Sequence, residues 1–201
     1  TVIASVDRRS PAQLAGIKPG EQLLTINGHE IIDVLDYRFY GYDADSHLTL
    51  REPNGAQRAV HIRKQEGQDL GLNFDTYLMD EMRSCANHCI FCFVDQMPPG
   101  MRQTLYFKDD DARLSFLLGN YITLTNLTER EAQRIIDLHI CPINVSVHTT
   151  DPQLHCTMLG NKNAGRSLEY IRAFCKAGIV MNGQIVICPG WNDGDQLRRT
   201  L

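Results

Sequence analysis

Residues 74–201 alternate strand-like and helix-like segments, and this alternation limits the folds open to the chain more than any other feature. Strand-like patterns cover residues 74–82, 120–126, 143–150 and 179–187. Helix-like patterns follow at about 90–96, 128–139 and 164–177, and a fourth helix is predicted from about residue 194. Repeated strand–helix alternation predicts an α/β fold with a parallel sheet, and four such units can begin a (β/α) barrel. Because a complete barrel needs more strands, we expect a partial barrel, truncated at Leu201.

The first part of the chain has short strands separated by tight turns. Asn27-Gly28 and Asn54-Gly55 each predict a hairpin between two strand-like runs. Ser10 and Pro11 predict the N-cap and first residue of a short helix, and residues 32–42 look helical. This half is therefore predicted to be β-rich.

A polar, Gly-containing stretch at residues 64–70 predicts the boundary between the two halves. We therefore expect three parts: a β-rich domain over 1–66, a linker or last associated strand over 67–75, and the first part of the barrel over 76–201.

Composition narrows the functional classes. Apolar residues make up 43% of the chain, enough for a core, and the net charge of −4 argues against nucleic-acid binding. No run reaches the ~20 apolar residues of a membrane span, and no signal peptide is recognisable at Thr1. The seven cysteines are odd in number and three are clustered. This pattern favours metal ligation in the reducing cytoplasm over a disulfide framework.

The clustered cysteines are Cys85, Cys89 and Cys92, in a C-x3-C-x2-C pattern with an aromatic residue before the last one. Thiolates bind iron tightly, and a [4Fe–4S] cluster normally takes four ligands. Three cysteines leave one iron open to a small chelating ligand. A zinc site that adds His88 is the main alternative. Cys141, Cys156, Cys175 and Cys188 are too dispersed to predict a second cluster.

The cysteine spacing resembles the signature of the radical S-adenosylmethionine (SAM) superfamily. Longer stretches resemble one bacterial family that joins an N-terminal PDZ-like domain to a radical SAM barrel and is labelled Fe–S oxidoreductase. They include CIFCFVDQMPPGMRQTLYFKDDDARLSFLLGNYITLTNLTE, NVSVHTTDP, MLGNKNAG and QIVICPGWNDG. The resemblance implies that SAM binds the open iron and that one electron cleaves it to a 5′-deoxyadenosyl radical. It also implies an electron donor such as flavodoxin or ferredoxin. It does not indicate which substrate the radical acts on.

Further cofactor-binding candidates lie where barrel strands end. They are Thr125, Asn126, Ser146, His148 and Gln184. The resemblance implies SAM contacts for this region, although Thr123–Leu127 stands where the superfamily usually has Gly-Gly-Glu. His148 and Gln184 each remain open between a cavity role and an ordinary structural role. The charged run from Lys108 to Asp111 lies in a long insertion and is most simply a solvated face.

The N-terminal half resembles a PDZ domain at SPAQLAGIKPGEQLLTING. This resemblance implies a peptide or protein ligand that adds a strand to the sheet. Capture of a C-terminal carboxylate needs a loop of exposed amides, and Asp69–Phe74 resembles such a loop but follows the last hairpin.

The rival to the enzyme hypothesis is a non-catalytic interaction protein with a structural or redox-sensing Fe–S site, or with zinc.

Overall fold

The computed structural model describes every residue from Thr1 to Leu201. The chain forms two compact units, Thr1–Glu81 and Met82–Leu201. None of the helices combines the length and the apolar character that crossing a bilayer requires. The predicted mixed α/β class, with a β-rich first part and a strand–helix second part, is confirmed.

The N-terminal unit contains two antiparallel sheets. The larger sheet has the order β3-β2-β4-β5, formed by His29–Glu30, Gln22–Ile26, Asp45–Arg51 and Gln57–Arg63. The smaller sheet pairs β1, Ile3–Val6, with β6, Leu72–Phe74. Two helices complete the unit, α1 over Pro11–Leu14 and α2 over Val34–Tyr40.

Local signals explain several of these elements. The Ser10 hydroxyl caps α1 by accepting the Gln13 amide hydrogen, and Pro11 occupies the first turn. Asp33 and Asp36 form a reciprocal capping box at the start of α2. Asn27 and Gly28 both have positive φ angles, as the tight turn between β2 and β3 requires. The predicted helix at 32–42 and both predicted hairpins are therefore confirmed.

The C-terminal unit contains a short parallel sheet covered by helices. Strand β7, Ile143–Ser146, pairs in parallel with β8, Met181–Gln184. Ile122 adds a further parallel bridge to Val145 on the other side of β7. The helices are α3 to α7, which span Ala112–Leu118, Glu129–Asp137, Pro152–Leu159, Ser167–Lys176 and Gly194–Thr200.

Three of the elements predicted for residues 74–201 are wrong in detail. Residues 75–82 are not a strand, because the Met79 amide donates to the Thr76 carbonyl in a turn and Met79 has a positive φ angle. Only Ile122 pairs within 120–126, since Leu124 also has a positive φ angle. Residues 90–96 form successive turns instead of a helix. Helices α3 and α5 were not predicted.

Candidate functional site

Backbone hydrogen bonds hold the cysteine segment on two sides. The Cys85 amide donates to the Lys108 carbonyl at 2.6 Å. On the other side, the amides of His88 and Ile90 donate to the carbonyls of Leu159 and Met158, both at 2.9 Å. The segment therefore has a defined path although it contains no helix or strand.

A glycine allows this path. Gly160 ends α5 with a φ of +58°, and a Cβ built there would lie 2.5 Å from the His88 carbonyl oxygen. No real side chain tolerates that contact, so glycine at this position permits the end of α5 to approach the cysteine segment. Gly160 belongs to the MLGNKNAG stretch of the family resemblance.

The three cysteines are partly buried free thiols. Burial, followed by the neighbouring Cys85 and Cys92, raises the pKa of Cys89 to about 12. Burial and Asp110 likewise raise the pKa of Cys85. These shifts mean that ionising the thiols together is unfavourable unless positive charge is supplied. A cationic metal cluster bound by the three thiols would supply that charge.

His88, the residue that a four-ligand zinc site would add to the three cysteines, has another partner. Its side chain is 80% exposed, and Nδ1 lies 3.8 Å from the Asp95 carboxylate. A cubane held by three cysteines does not need His88, because each thiolate binds a different iron.

A lysine contributes positive charge beside the thiols. Lys108 Nζ donates to the Asn87 carbonyl at 2.7 Å and to both oxygens of Asp95, at 2.9 and 3.0 Å. Burial lowers the pKa of Lys108, but the Asp95 carboxylate, Cys92 and Cys85 together outweigh burial and the net shift is upward. Lys108 is therefore held as a cation next to the cysteines.

Asn87 connects the cysteine segment to the residues that follow Ile122 in the chain. Its side chain is buried, and its Nδ2 donates to the hydroxyls of Thr123 and Thr125 at 3.0 and 2.9 Å. Its Oδ1 accepts from Asn161 Nδ2 at 2.7 Å. The predicted residue Thr125 is thus placed directly beside the segment between Cys85 and Cys89.

Asp110 and Asn126 extend this polar network. Asp110 accepts from the Thr123 amide at 2.6 Å and from the Thr123 hydroxyl at 2.5 Å. Burial nevertheless raises the pKa of Asp110 to about 6. Asn126 Nδ2 donates to the Asp110 carbonyl at 3.0 Å and to the Ser84 carbonyl at 3.4 Å. The predicted residue Asn126 therefore also lies against the cysteine segment.

The His148 ring contacts Phe91, the aromatic residue that precedes Cys92. The Phe91 and His148 rings meet edge to face, with centroids 4.6 Å apart. His148 is 3% exposed, and burial, followed by the nearby His155, lowers its pKa to about 4. Its Nδ1 accepts the Val186 amide hydrogen at 3.2 Å. The ring is therefore neutral at pH 7 and carries its proton on Nε2.

Ser146 and Gln184 end the two parallel strands side by side. They are register partners, and the Gln184 carbonyl accepts from the Val147 amide at 2.9 Å. Ser146 is 9% exposed, whereas Gln184 is exposed. Neither side chain joins the Asn87 network, so the five cofactor-binding candidates do not form one hydrogen-bonded group.

Sequence reasoning missed several site residues, and it misjudged the charged run. Asp110 and Asp111 are 2% and 1% exposed, so the expectation of a solvated face is wrong there. Lys108 and Asp110 contact the cysteine segment across an insertion that the sequence did mark as long. Asn87 sits inside the cysteine motif, but nothing in its spacing indicated that it would be buried.

Comparisons with known proteins agree with the described architecture. The family model of the Radical SAM-like domain matches residues 64–201, which is more than half of the chain. The model of the PDZ domain matches residues 2–51. No curated protein matches the chain significantly. The chain therefore belongs to the Radical SAM-like family and carries an N-terminal PDZ domain.

Proposed function

We propose that the protein is a radical SAM enzyme in which Cys85, Cys89 and Cys92 hold a [4Fe–4S] cluster and SAM binds the remaining iron. The observation that carries the proposal is the C-x3-C-x2-C segment itself, whose three thiols are partly buried and whose backbone is fixed by bonds to Lys108 and to the end of α5. When bound, the cluster and SAM supply a 5′-deoxyadenosyl radical that abstracts hydrogen from a substrate.

The chain's own residues have three tasks in this proposal. Lys108 Nζ, which is already held by Asp95, offsets the negative charge of the thiolates. Asn87 and Thr125 fix the segment between the first two cysteines. Together with Asn126, Thr125 offers hydroxyl and amide oxygens to the SAM ammonium, in place of the carboxylate that is usual in the superfamily.

The barrel candidates beyond this network have different roles in the proposal. His148 packs on Phe91 and presents a neutral N–H, so it can donate a hydrogen bond without adding charge. Ser146 and Gln184 lie at the carboxyl ends of parallel strands, where barrel enzymes bind their ligands. An external donor such as flavodoxin or ferredoxin would supply the electron.

Anaerobic reconstitution followed by EPR tests the proposal. We expect the reduced protein to give a [4Fe–4S]⁺ signal that SAM perturbs, and then to form 5′-deoxyadenosine. Cys92→Ala should lose the signal, because two thiols cannot hold the cluster. Cys175→Ala is the matched control, since Cys175 is exposed on α6 and should leave the signal unchanged.

Two results would contradict the proposal. A cluster whose EPR signal does not respond to SAM would favour a structural or redox-sensing role. A colourless protein that binds one zinc ion and loses it in Cys92→Ala would favour a zinc scaffold.

A further inference from the structure

The solvent face of the β4–β5 hairpin carries three metal-ligating side chains at adjacent positions. Asp45 and His47 are two residues apart on β4, so they project from the same face. His61 on β5 is the direct cross-strand partner of His47. The three side chains therefore share one face of the N-terminal unit, which does not contain the cysteine site.

The strands that carry these residues are fixed from the opposite face. The alternate positions of the hairpin point into the core and are at most 8% exposed; they are Ser46, Leu48, Leu50, Val60 and Ile62. Asn27 also holds the start of β4, since its Oδ1 accepts the His47 amide hydrogen at 2.8 Å. The backbone under the three side chains is therefore preorganised.

The three ligand atoms converge on one point. All of them lie within 4.8 Å of one another, and His47 Nε2 is 3.5 Å from Asp45 Oδ1. His61 Nε2 bonds to the same oxygen. Nitrogen and oxygen ligands at about 2.0–2.1 Å from a tetrahedral zinc ion are about 3.4 Å apart. The distance between His47 Nε2 and Asp45 Oδ1 is therefore close to that of two ligands of one ion. A bound ion would replace the hydrogen bond between His61 and Asp45, and the stacked His47 and His61 rings would stay side by side on the same face.

The three side chains are accessible to an ion from solvent. Arg63 pairs with the other carboxylate oxygen of Asp45, Oδ2, at 3.9 Å from its Nε. The side chains of Asp45, His47 and His61 are 56%, 68% and 40% exposed. A metal ion held there would keep coordination positions open to water or to a ligand from another molecule.

We propose that Asp45, His47 and His61 form a binding site for a divalent transition-metal ion of the zinc type, separate from the cysteine site. Two imidazoles and one carboxylate are ligands that Zn²⁺ accepts readily. This inference does not depend on the radical SAM chemistry, because the residues belong to the other unit.

Zinc titration of the full-length chain by calorimetry, with its cluster reconstituted, tests the site. We expect His61→Ala and His47→Ala each to weaken one zinc-binding event by at least ~10-fold, because each removes a ligand. His29→Ala is the matched control, since His29 is exposed on the same sheet but stacks on Tyr40. Any zinc bound by thiols is common to all these variants and cancels in the comparison.

Histidine side-chain ¹⁵N NMR gives a second readout. On addition of Zn²⁺, the ring nitrogens of His47 and His61 should shift together and return on addition of EDTA, while those of His29 stay in place. The proposal is overturned if His61→Ala and His47→Ala bind zinc as tightly as the unsubstituted chain, or if zinc leaves both ring signals unchanged. Circular dichroism establishes that each variant is folded.

Discussion

At the scale of single residues, His148 makes the stability of the C-terminal unit depend on pH. Its pKa is lowered to about 4 in the folded protein from an ordinary value of 6.5, chiefly by burial. Below pH 6.5 the unfolded chain takes up a proton that the folded chain does not. The contribution of neutral His148 to the free energy of unfolding is therefore fully present above pH 6.5. It is lost as the pH falls towards 4, and the loss is up to about 3 kcal/mol.

Urea unfolding followed by tryptophan fluorescence measures the stability of the C-terminal unit, because Trp191 is the only tryptophan and lies in that unit. His148→Asn should reduce the loss between pH 7 and pH 5, and asparagine tolerates the positive φ angle at this position. His139→Asn is the control, since His139 also has a positive φ angle but is exposed. An equal pH dependence in all three proteins would refute the assignment.

At the scale of elements, the loop that begins at Asp69 resembles the carboxylate-binding loop of a PDZ domain, but two of its amides already have acceptors within the unit. The Gly71 amide donates to Asp69 Oδ1 at 2.6 Å, and the Leu72 amide donates to the Tyr37 hydroxyl at 3.3 Å. The Tyr37 hydroxyl also donates to Asp69 at 3.1 Å. An incoming carboxylate would have to displace these acceptors and would meet the negative charge of Asp69.

We therefore expect peptides with a free C-terminus to bind poorly, and Asp69→Asn to bind them about tenfold more tightly by removing the like charge. Fluorescence anisotropy with labelled peptides measures this change. Amidated versions of the same peptides should show no gain, and Asp43→Asn controls for net charge alone. Tight binding of free-carboxylate peptides by the unsubstituted chain would contradict the expectation.

The elements also show which parts of the structure the sequence could predict. Asn27-Gly28 and the capping box of Thr128 and Glu131 act within a few residues, and the structure has the predicted hairpin and helix there. The predicted helix over 90–96 is wrong because the backbone forms turns there, while apolar side chains in and next to this segment pack against residues 158–164. Cys89 and Phe91, for example, pack against Met158, Leu159 and Ala164. Tertiary packing decided this segment against local propensity.

The candidate site divides in the same way. The cysteines could be found because they lie within one short motif, whereas the residues around them meet only through the fold. Asn87 bonds to Thr123, 36 residues away, and to Asn161, 74 residues away. No local pattern specifies such contacts. The burial of Asp110 depends on contacts of the same kind, so the sequence alone predicted a solvated position for it.

At the scale of the whole molecule, the N-terminal unit extends beyond the residues that resemble a PDZ domain. The PDZ family match ends at residue 51, yet β5 and β6 come later and complete the two sheets. Strand β6 pairs with β1, and the Leu70 carbonyl accepts from the Ala12 amide at 3.0 Å. Leu70 and Leu72 are 1% and 4% exposed, so the segment after residue 66 contributes to the core.

Two fragments test how far this unit extends. We expect fragment 1–81 to unfold cooperatively in urea, and fragment 1–66 to be less stable by several kcal/mol or unfolded. The reason is that fragment 1–66 leaves β1 unpaired and loses two buried leucines, each of which contributes about 1.5–3 kcal/mol. Circular dichroism during urea unfolding measures the difference.

Fragment 1–75 separates the effect of β6 from that of the residues that follow it. This fragment keeps β6 but lacks Leu78 and Met79, which are 4% and 8% exposed, and the hydrogen bond from the Val34 amide to the Leu78 carbonyl. Its stability should therefore lie between those of the other two fragments. If fragment 1–66 proved as stable as fragment 1–81, β6 would have to be an accessory strand, and the Radical SAM-like match from residue 64 would mark the structural boundary as well.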